Sequence, residues 1–164
     1  MKRKSYTYQV QSTLEASCEE VWTQVFQMEG VNAELSPWMK MTYPLEMNRF
    51  DPEMTPIGKL VFRSTILVFG LIPIDYYNLS FVKIDSPTQF HEQSSSIGFK
   101  KWTHIRTLET VERGCRLTDK VEYEPRIPIL GGALHPVFLG LFKHRQKYLR
   151  KKFGYLNEPG DTEI

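Results

Sequence analysis

Gly98-Phe99-Lys100-Lys101-Trp102-Thr103-His104-Ile105-Arg106 and, beyond a break at Arg113-Gly114, Leu117-Thr118-Asp119-Lys120-Val121-Glu122-Tyr123-Glu124-Pro125 are the stretches whose reading decides the fold. Alternate side chains of a strand share a face. Read as strands, the first run turns Trp102, His104 and Arg106 one way, and the second groups Leu117, Asp119, Val121 and Tyr123. A hairpin turning at Arg113-Gly114 merges these faces into one surface that mixes aromatics with His, Arg and Asp. A purely structural core is more uniformly aliphatic. Aromatic walls carrying a few polar groups are the composition of a small-molecule pocket.

Outward from this hairpin, residues 6–14 alternate, with Tyr6, Tyr8, Val10 and Leu14 on one face, and read as a strand. Ser17-Cys18-Glu19-Glu20 has the form of a capping box, and Val21, Trp22, Val25 and Phe26 follow at helical spacing. A short second helix is expected over 31–35, ending before Pro37 because the residue preceding a proline avoids the helical region. Residues 39–43 read as a short strand, and 48–58, with Pro52 and Pro56, as a loop. Further strands are expected over 59–68, 74–85, 88–95, 100–112 and 115–123. The segment 125–132 carries Pro125, Pro128, Gly131 and Gly132 and reads as a bend. A last helix over 135–153 follows, with Phe138, Phe142, Leu149 and Phe153 near one face and Arg145 in the middle of that stripe. The order predicts an α+β domain, an antiparallel sheet wrapped around the last helix, with Trp102, His104, Asp119 and Tyr123 facing it.

The succession Phe90, Gly98-Phe99, Trp102-x-His104, Leu117-x-Asp119, Tyr123-x-Pro125, Phe142 and Arg145 resembles the SRPBCC superfamily of bacterial ligand-binding proteins. That superfamily includes START lipid-transfer domains, pollen-allergen-like plant proteins and polyketide aromatase/cyclases. The resemblance covers nearly the whole chain. It implies a helix-grip fold: a curved antiparallel β-sheet around a long C-terminal helix, two short helices near the N-terminus, and a cavity between sheet and helix. The segment Ile97-Gly98-Phe99 stands where the superfamily usually has Gly-Pro-aromatic, and Ser94 where Gln is common. Both fall at the expected cavity mouth, so the resemblance carries no ligand identity.

A chain of 164 residues fits one domain with a real core, here 1–157, followed by an acidic tail at 158–164. With 41% hydrophobic and 13% aromatic residues it is a folded globule, and a formal net charge of +2 gives no nucleic-acid signature. Cys18 and Cys115 lack metal spacing and read as reduced and incidental. The basic start Met1-Lys2-Arg3-Lys4 leads into a polar strand rather than an apolar leader, and no run is long enough to span a membrane, so the expected location is cytoplasmic.

The expected ligand-binding residues are Trp102, His104, Arg106, Asp119, Tyr123, Phe138, Phe142 and Arg145. His104 reads first as a hydrogen-bonded structural histidine, then as a ligand contact or a general base. Asp119 and Arg145 read as a buried ion pair, with a bidentate clamp on a ligand's acidic group as the other role for Arg145. His91, His104, His135 and His144 show no ligand spacing and there is no glycine-rich phosphate loop, so neither metal nor cofactor is expected. Lys143, Arg145, Lys147, Arg150, Lys151 and Lys152 make the last helix strongly basic and read as a solvated helix face, with contact to an anionic lipid surface as the second reading. The apolar run 66–73 reads as core, with a greasy cavity rim as the alternative. The function that follows is the binding or carrying of a small hydrophobic molecule. An aromatase/cyclase-like enzyme using the same cavity is the alternative, less favoured because no acid–base pair stands out in the sequence.

Overall fold

The computed structural model describes residues 4–164, so most of the basic opening, Met1-Lys2-Arg3, lies outside the described residues. The elements run β1 (Tyr6–Leu14), α1 (Cys18–Val25), α2 (Met28–Leu35), β2 (Met39–Met41), β3 (Leu60–Val68), β4 (Ile72–Asp85), β5 (Gln89–Ser96), β6 (Phe99–Val111), β7 (Gly114–Pro125) and α3 (Pro128–Phe153). The seven strands form one curled antiparallel sheet in the order β1-β7-β6-β5-β4-β3-β2. Each strand from β2 to β7 pairs with the next in sequence, and β1 closes on β7 from Tyr6↔Tyr123 to Leu14↔Cys115. The long helix α3 lies in the concave face. This is the helix-grip fold.

Local chemistry sets the boundaries. The Ser17 hydroxyl accepts the Glu20 backbone N–H at 3.2 Å while the Glu20 carboxylate accepts the Ser17 N–H at 2.9 Å, closing the capping box that starts α1. The β6–β7 turn is Glu112-Arg113, one residue earlier than the sequence reading, and Gly114 is already paired with Val111. A Cβ on Gly114 would sit 2.0 Å from the Leu14 carbonyl oxygen, so glycine is needed where β1 ends against the hairpin. The second helix is longer than expected, beginning at Met28.

The bend expected at 125–132 is instead largely the first turns of α3. Pro128 stands in the first turn, where a missing N–H costs no hydrogen bond. Gly131 lets the helix approach the sheet: a Cβ there would lie 2.2 Å from the Tyr6 ring, and the Tyr123 hydroxyl donates to the Gly131 carbonyl at 2.9 Å. Glycines and prolines that read as punctuation are there for a helix start and a close contact.

Two further expectations change. Cys18 on α1 and Cys115 on β7 form a disulfide across 97 residues of sequence, rather than standing as separate thiols. No short spacing announces such a pair; only the docking of α1 on the far edge of the hairpin creates it. In the apolar run, Ile66 is buried, but Phe69, Leu71 and Ile72 at the β3–β4 turn are 57%, 81% and 57% exposed. That turn is rim, not core.

At the chain end, the acidic tail lies along β1. Gln11 N–H donates to the Thr162 hydroxyl at 2.8 Å, Thr13 N–H to the Asp161 carboxylate at 3.0 Å, and the Arg150 guanidinium reaches the Thr162 carbonyl at 2.7 Å.

Candidate functional site

The buried side chains fall into two apolar clusters. One gathers Leu14, Val21, Trp22, Phe26, Phe81 and Phe90 under α1, and the other gathers Tyr8, Val10, Trp102, Val121, Tyr123 and Phe142 under the N-terminal part of α3. A polar belt is buried with them. It starts on β5 at Glu92, crosses to its β6 cross-strand partner His104, and continues through Arg106 to its β7 partner Asp119. Arg145 and Gln146 from α3 and Glu34 from α2 close it from the concave side.

Arg106 is the centre of this belt and is fully buried. Its guanidinium donates to Asp119 at 2.6 and 3.0 Å and to both Glu34 oxygens at 3.0 Å. Two carboxylates thus grip one planar fork, the geometry in which arginine binds most strongly. Asp119 also contacts His104 Nε2 at 2.7 Å and accepts the Gln146 amide at 2.7 Å. Burial pushes the Asp119 carboxyl up, but the charge of Arg106 and the His104 contact outweigh it and hold Asp119 far below the usual carboxylate range.

The Asp119–Arg145 pair expected from sequence is therefore not formed. Arg145 instead donates from Nε to Glu34 at 2.9 Å, and its guanidinium stacks over the Phe142 ring at 4.8 Å. The reason is register. Arg106 sits directly opposite Asp119 on the adjacent strand and occupies its oxygens first. Glu34, a single acidic residue on a short helix, gave no sequence signal as the counter-charge of Arg145.

The pH consequence has a definite sign. An aspartate whose folded pKa is depressed contributes stability that is complete above its unfolded value, about 3.9, and is lost as pH falls toward the folded value. The stability advantage of the native chain over Asp119→Asn is expected to be constant from pH 5 to pH 8 and to shrink below about pH 4. Urea unfolding curves across that range check it. An advantage that grew on acidification would contradict the assignment.

The belt borders an apolar cavity of about 170 Å³ lying between the sheet, α2 and α3. Phe26, Phe81, Phe90, Trp102, Phe138 and Phe142 supply its walls, and Tyr77, Glu92, His104 and Arg145 its polar side. Glu92 Oε1 accepts the Tyr77 hydroxyl and the Ser94 hydroxyl, the latter at 2.8 Å. Burial first, and then the Glu92 charge, hold the Tyr77 phenol well above its ordinary value, so it stays a donor. Met39, Ile74, Phe99, Phe138 and Leu141 are shared with an outer hollow of about 670 Å³ that opens between the β3–β4 turn and α3. Trp38, Phe69, Ile97, Leu130 and Val137 rim it, and each is at least 46% exposed.

Of the eight residues expected to meet a ligand, Trp102, His104, Phe138, Phe142 and Arg145 line the inner cavity. Tyr123 backs the wall, stacked on Trp102 at 5.7 Å between centroids. Arg106 and Asp119 lie behind it, bonded to one another, with Glu34 engaging Arg106 and Gln146 engaging Asp119. Sequence reasoning missed Glu92, Tyr77 and Glu34. Glu92 was within reach, since it alternates with Phe90 and Ser94 on the buried face of β5. Among the described residues no cluster of three His, Cys, Asp or Glu side chains is placed to hold a metal ion.

The architecture is the helix-grip fold, with an apolar cavity between sheet and C-terminal helix. The chain belongs to the family described as a domain of unknown function, DUF8410, whose pattern matches residues 12–153. In fold it is similar to protein CV1439 from Chromobacterium violaceum, with a TM-score of 0.69 at 15% identity over 90% of this chain and 97% of that one. A START superfamily protein from Mycobacterium smegmatis aligns with a TM-score of 0.60 at 12% identity, covering 91% of this chain and 96% of that one. The major latex-like protein 151 of Panax ginseng gives 0.59 at 11% identity, covering 91% and 97%. No curated protein matches the sequence.

Proposed function

We propose that the chain binds or carries a small hydrophobic molecule in the cavity between β-sheet and α3. One observation carries this reading: an aromatic-walled inner cavity holding a single polar side, adjoining an exposed apolar hollow across the shared residues Met39, Ile74, Phe99, Phe138 and Leu141. Filled cores leave few voids larger than a water molecule, so a cavity of about 170 Å³ walled by Phe, Trp and Met is space kept for something. Trp102, His104, Phe138, Phe142 and Arg145 are the proposed contacts, with Glu92 and Tyr77 added. Arg106, Asp119 and Tyr123 support them. The Cys18–Cys115 disulfide favours an oxidising compartment over the cytoplasm. Among the described residues no helix is long and apolar enough to cross a membrane.

A second reading, an aromatase/cyclase-like enzyme, is favoured by one feature only: His104 stands on the cavity wall with Asp119 at 2.7 Å behind it, the arrangement of an oriented acid–base. The binding reading accounts for the same pair as structure, because Asp119 is fully engaged by Arg106 and Gln146 as well.

Freshly purified protein is expected to retain an apolar molecule in native mass spectrometry. Emptied protein is expected to take up an environment-sensitive dye such as 1-anilinonaphthalene-8-sulfonate with an intensity that an apolar competitor abolishes. Absence of both retained mass and competable dye uptake would sink the proposal.

A further inference from the structure

With the His104 imidazole neutral, the belt sets three carboxylates against two guanidiniums, and the third carboxylate lines the cavity. Arg106 and Arg145 are matched by Glu34 and Asp119, all four in direct contact through the Arg106 fork and the Arg145 Nε. Glu92 is the carboxyl group left over. It is 8% exposed, its Oε1 is held by Tyr77 and Ser94, and the basic atom nearest its Oε2 is His104 Nδ1 at 3.7 Å, beyond hydrogen-bonding distance. On the cationic side, Arg145 is 6% exposed and spends only its Nε on the protein. Among the described residues neither of its terminal nitrogens has a hydrogen-bond partner. Arg145 and Glu92 line the same cavity yet form no ion pair with one another. The terminal nitrogens of Arg145 and the Oε2 of Glu92 thus face one apolar chamber without a hydrogen bond, open donors and an open acceptor that a polar group in the chamber can meet.

Resting on the binding reading above, we infer that the ligand's polar end is neutral and carries both a hydrogen-bond acceptor for Arg145 and a donor for Glu92. An amide, a hydroxy-carbonyl or a phenol beside a carbonyl has that pattern. A free carboxylate or phosphate does not. It would satisfy Arg145 but add a second uncompensated negative charge beside Glu92, in surroundings where like charges repel strongly. A bare hydrocarbon would leave both groups unpaired. The acidic head group that a lone arginine implies in the sequence is therefore disfavoured by the carboxyl group that shares its cavity.

Three compounds on one ring system test this by dye displacement or calorimetry: 2-naphthamide, 2-naphthoate and naphthalene. The native protein is expected to bind the amide at least about tenfold more tightly than either of the others, the discrimination that one unmatched buried charge or hydrogen bond imposes. Glu92→Gln keeps an oxygen for Tyr77 and Ser94 and removes the charge, and is expected to bring naphthoate to within about threefold of the amide. A thermal melt confirms that this variant is folded. If it is not, the ranking in the native protein decides. Naphthoate binding tightest to the native protein, or an amide-to-naphthoate ratio unchanged in Glu92→Gln, overturns the inference. Equal binding of all three overturns it too, while leaving the apolar-binding reading intact. Binding of none overturns both.

Discussion

Arg106→Met is expected to cost about 3 to 5 kcal/mol of folding stability, enough to unfold a domain of ordinary stability at physiological temperature. The reason is not the loss of one favourable contact. Burial alone makes the guanidinium expensive, and the pair energy only offsets that expense. What makes the substitution severe is the state it leaves behind: Asp119 and Glu34, both fully buried, lose the fork that each shares. Arg145 can still serve Glu34, but Asp119 keeps only His104 and Gln146. Arg145→Met is expected to cost roughly half as much, because Glu34 retains Arg106 and the lost guanidinium has only one bond to the protein. Urea unfolding of both variants orders them. Arg145→Met proving the more damaging would mean that the belt is centred on α3 and not on β6.

The legible and illegible parts of this chain divide along a physical line. Period-2 alternation and 3.6-residue spacing are properties of a single segment, and they placed β1, β3 to β7, α1 and the body of α3 within a few residues. The shared face of Trp102, His104 and Arg106 with Asp119 and Tyr123 was equally legible, because alternation within each strand sets the face and a turn moved by one residue shifts the register by two, which leaves the faces unchanged. Partnerships between distant elements left no such trace. Glu34 meets Arg106 across 72 residues and Arg145 across 111. Cys18 meets Cys115 across 97. Nothing within five residues of Glu34 marks it as the buried counter-charge, and Arg145 was assigned to the wrong carboxylate, Asp119, in consequence.

Glycine and proline were misread for a related reason. At Pro128 and Gly131 local statistics favour a bend, yet the helix start tolerates proline and the Tyr6 ring demands the absence of a side chain. Tertiary contact decided between two local meanings. The rim residues Phe69, Leu71 and Ile72 are the converse case, apolar by composition but placed by the β3–β4 turn where the sheet ends. An apolar run says that burial is favourable, and does not say that the fold provides it.

Trp102→Ala separates a cavity kept for a ligand from a packing defect. Trp102 is 9% exposed and touches Phe99, Tyr123 and Phe138 with ring centroids at 5.6, 5.7 and 5.1 Å. Its removal is expected to cost about 3 to 5 kcal/mol, the transfer energy of the indole plus that of the void its neighbours fail to fill. The void adjoins the existing chamber, so the two become one larger space lined by Phe99, Phe138, Phe142 and His104. A ligand that occupies this space binds only the folded state, and at a hundred times its dissociation constant returns about 2.7 kcal/mol. Melting curves of the variant are therefore expected to rise with the concentration of an added apolar aromatic, and to rise further for a bicyclic compound than for benzene. The native protein, whose chamber keeps the Trp102 indole, is expected to show the opposite preference for added bulk: a substituent of indole size tolerated by Trp102→Ala should weaken binding to it. A variant as unstable as predicted but indifferent to every apolar compound would identify Trp102 as ordinary core and the chamber beside it as unused.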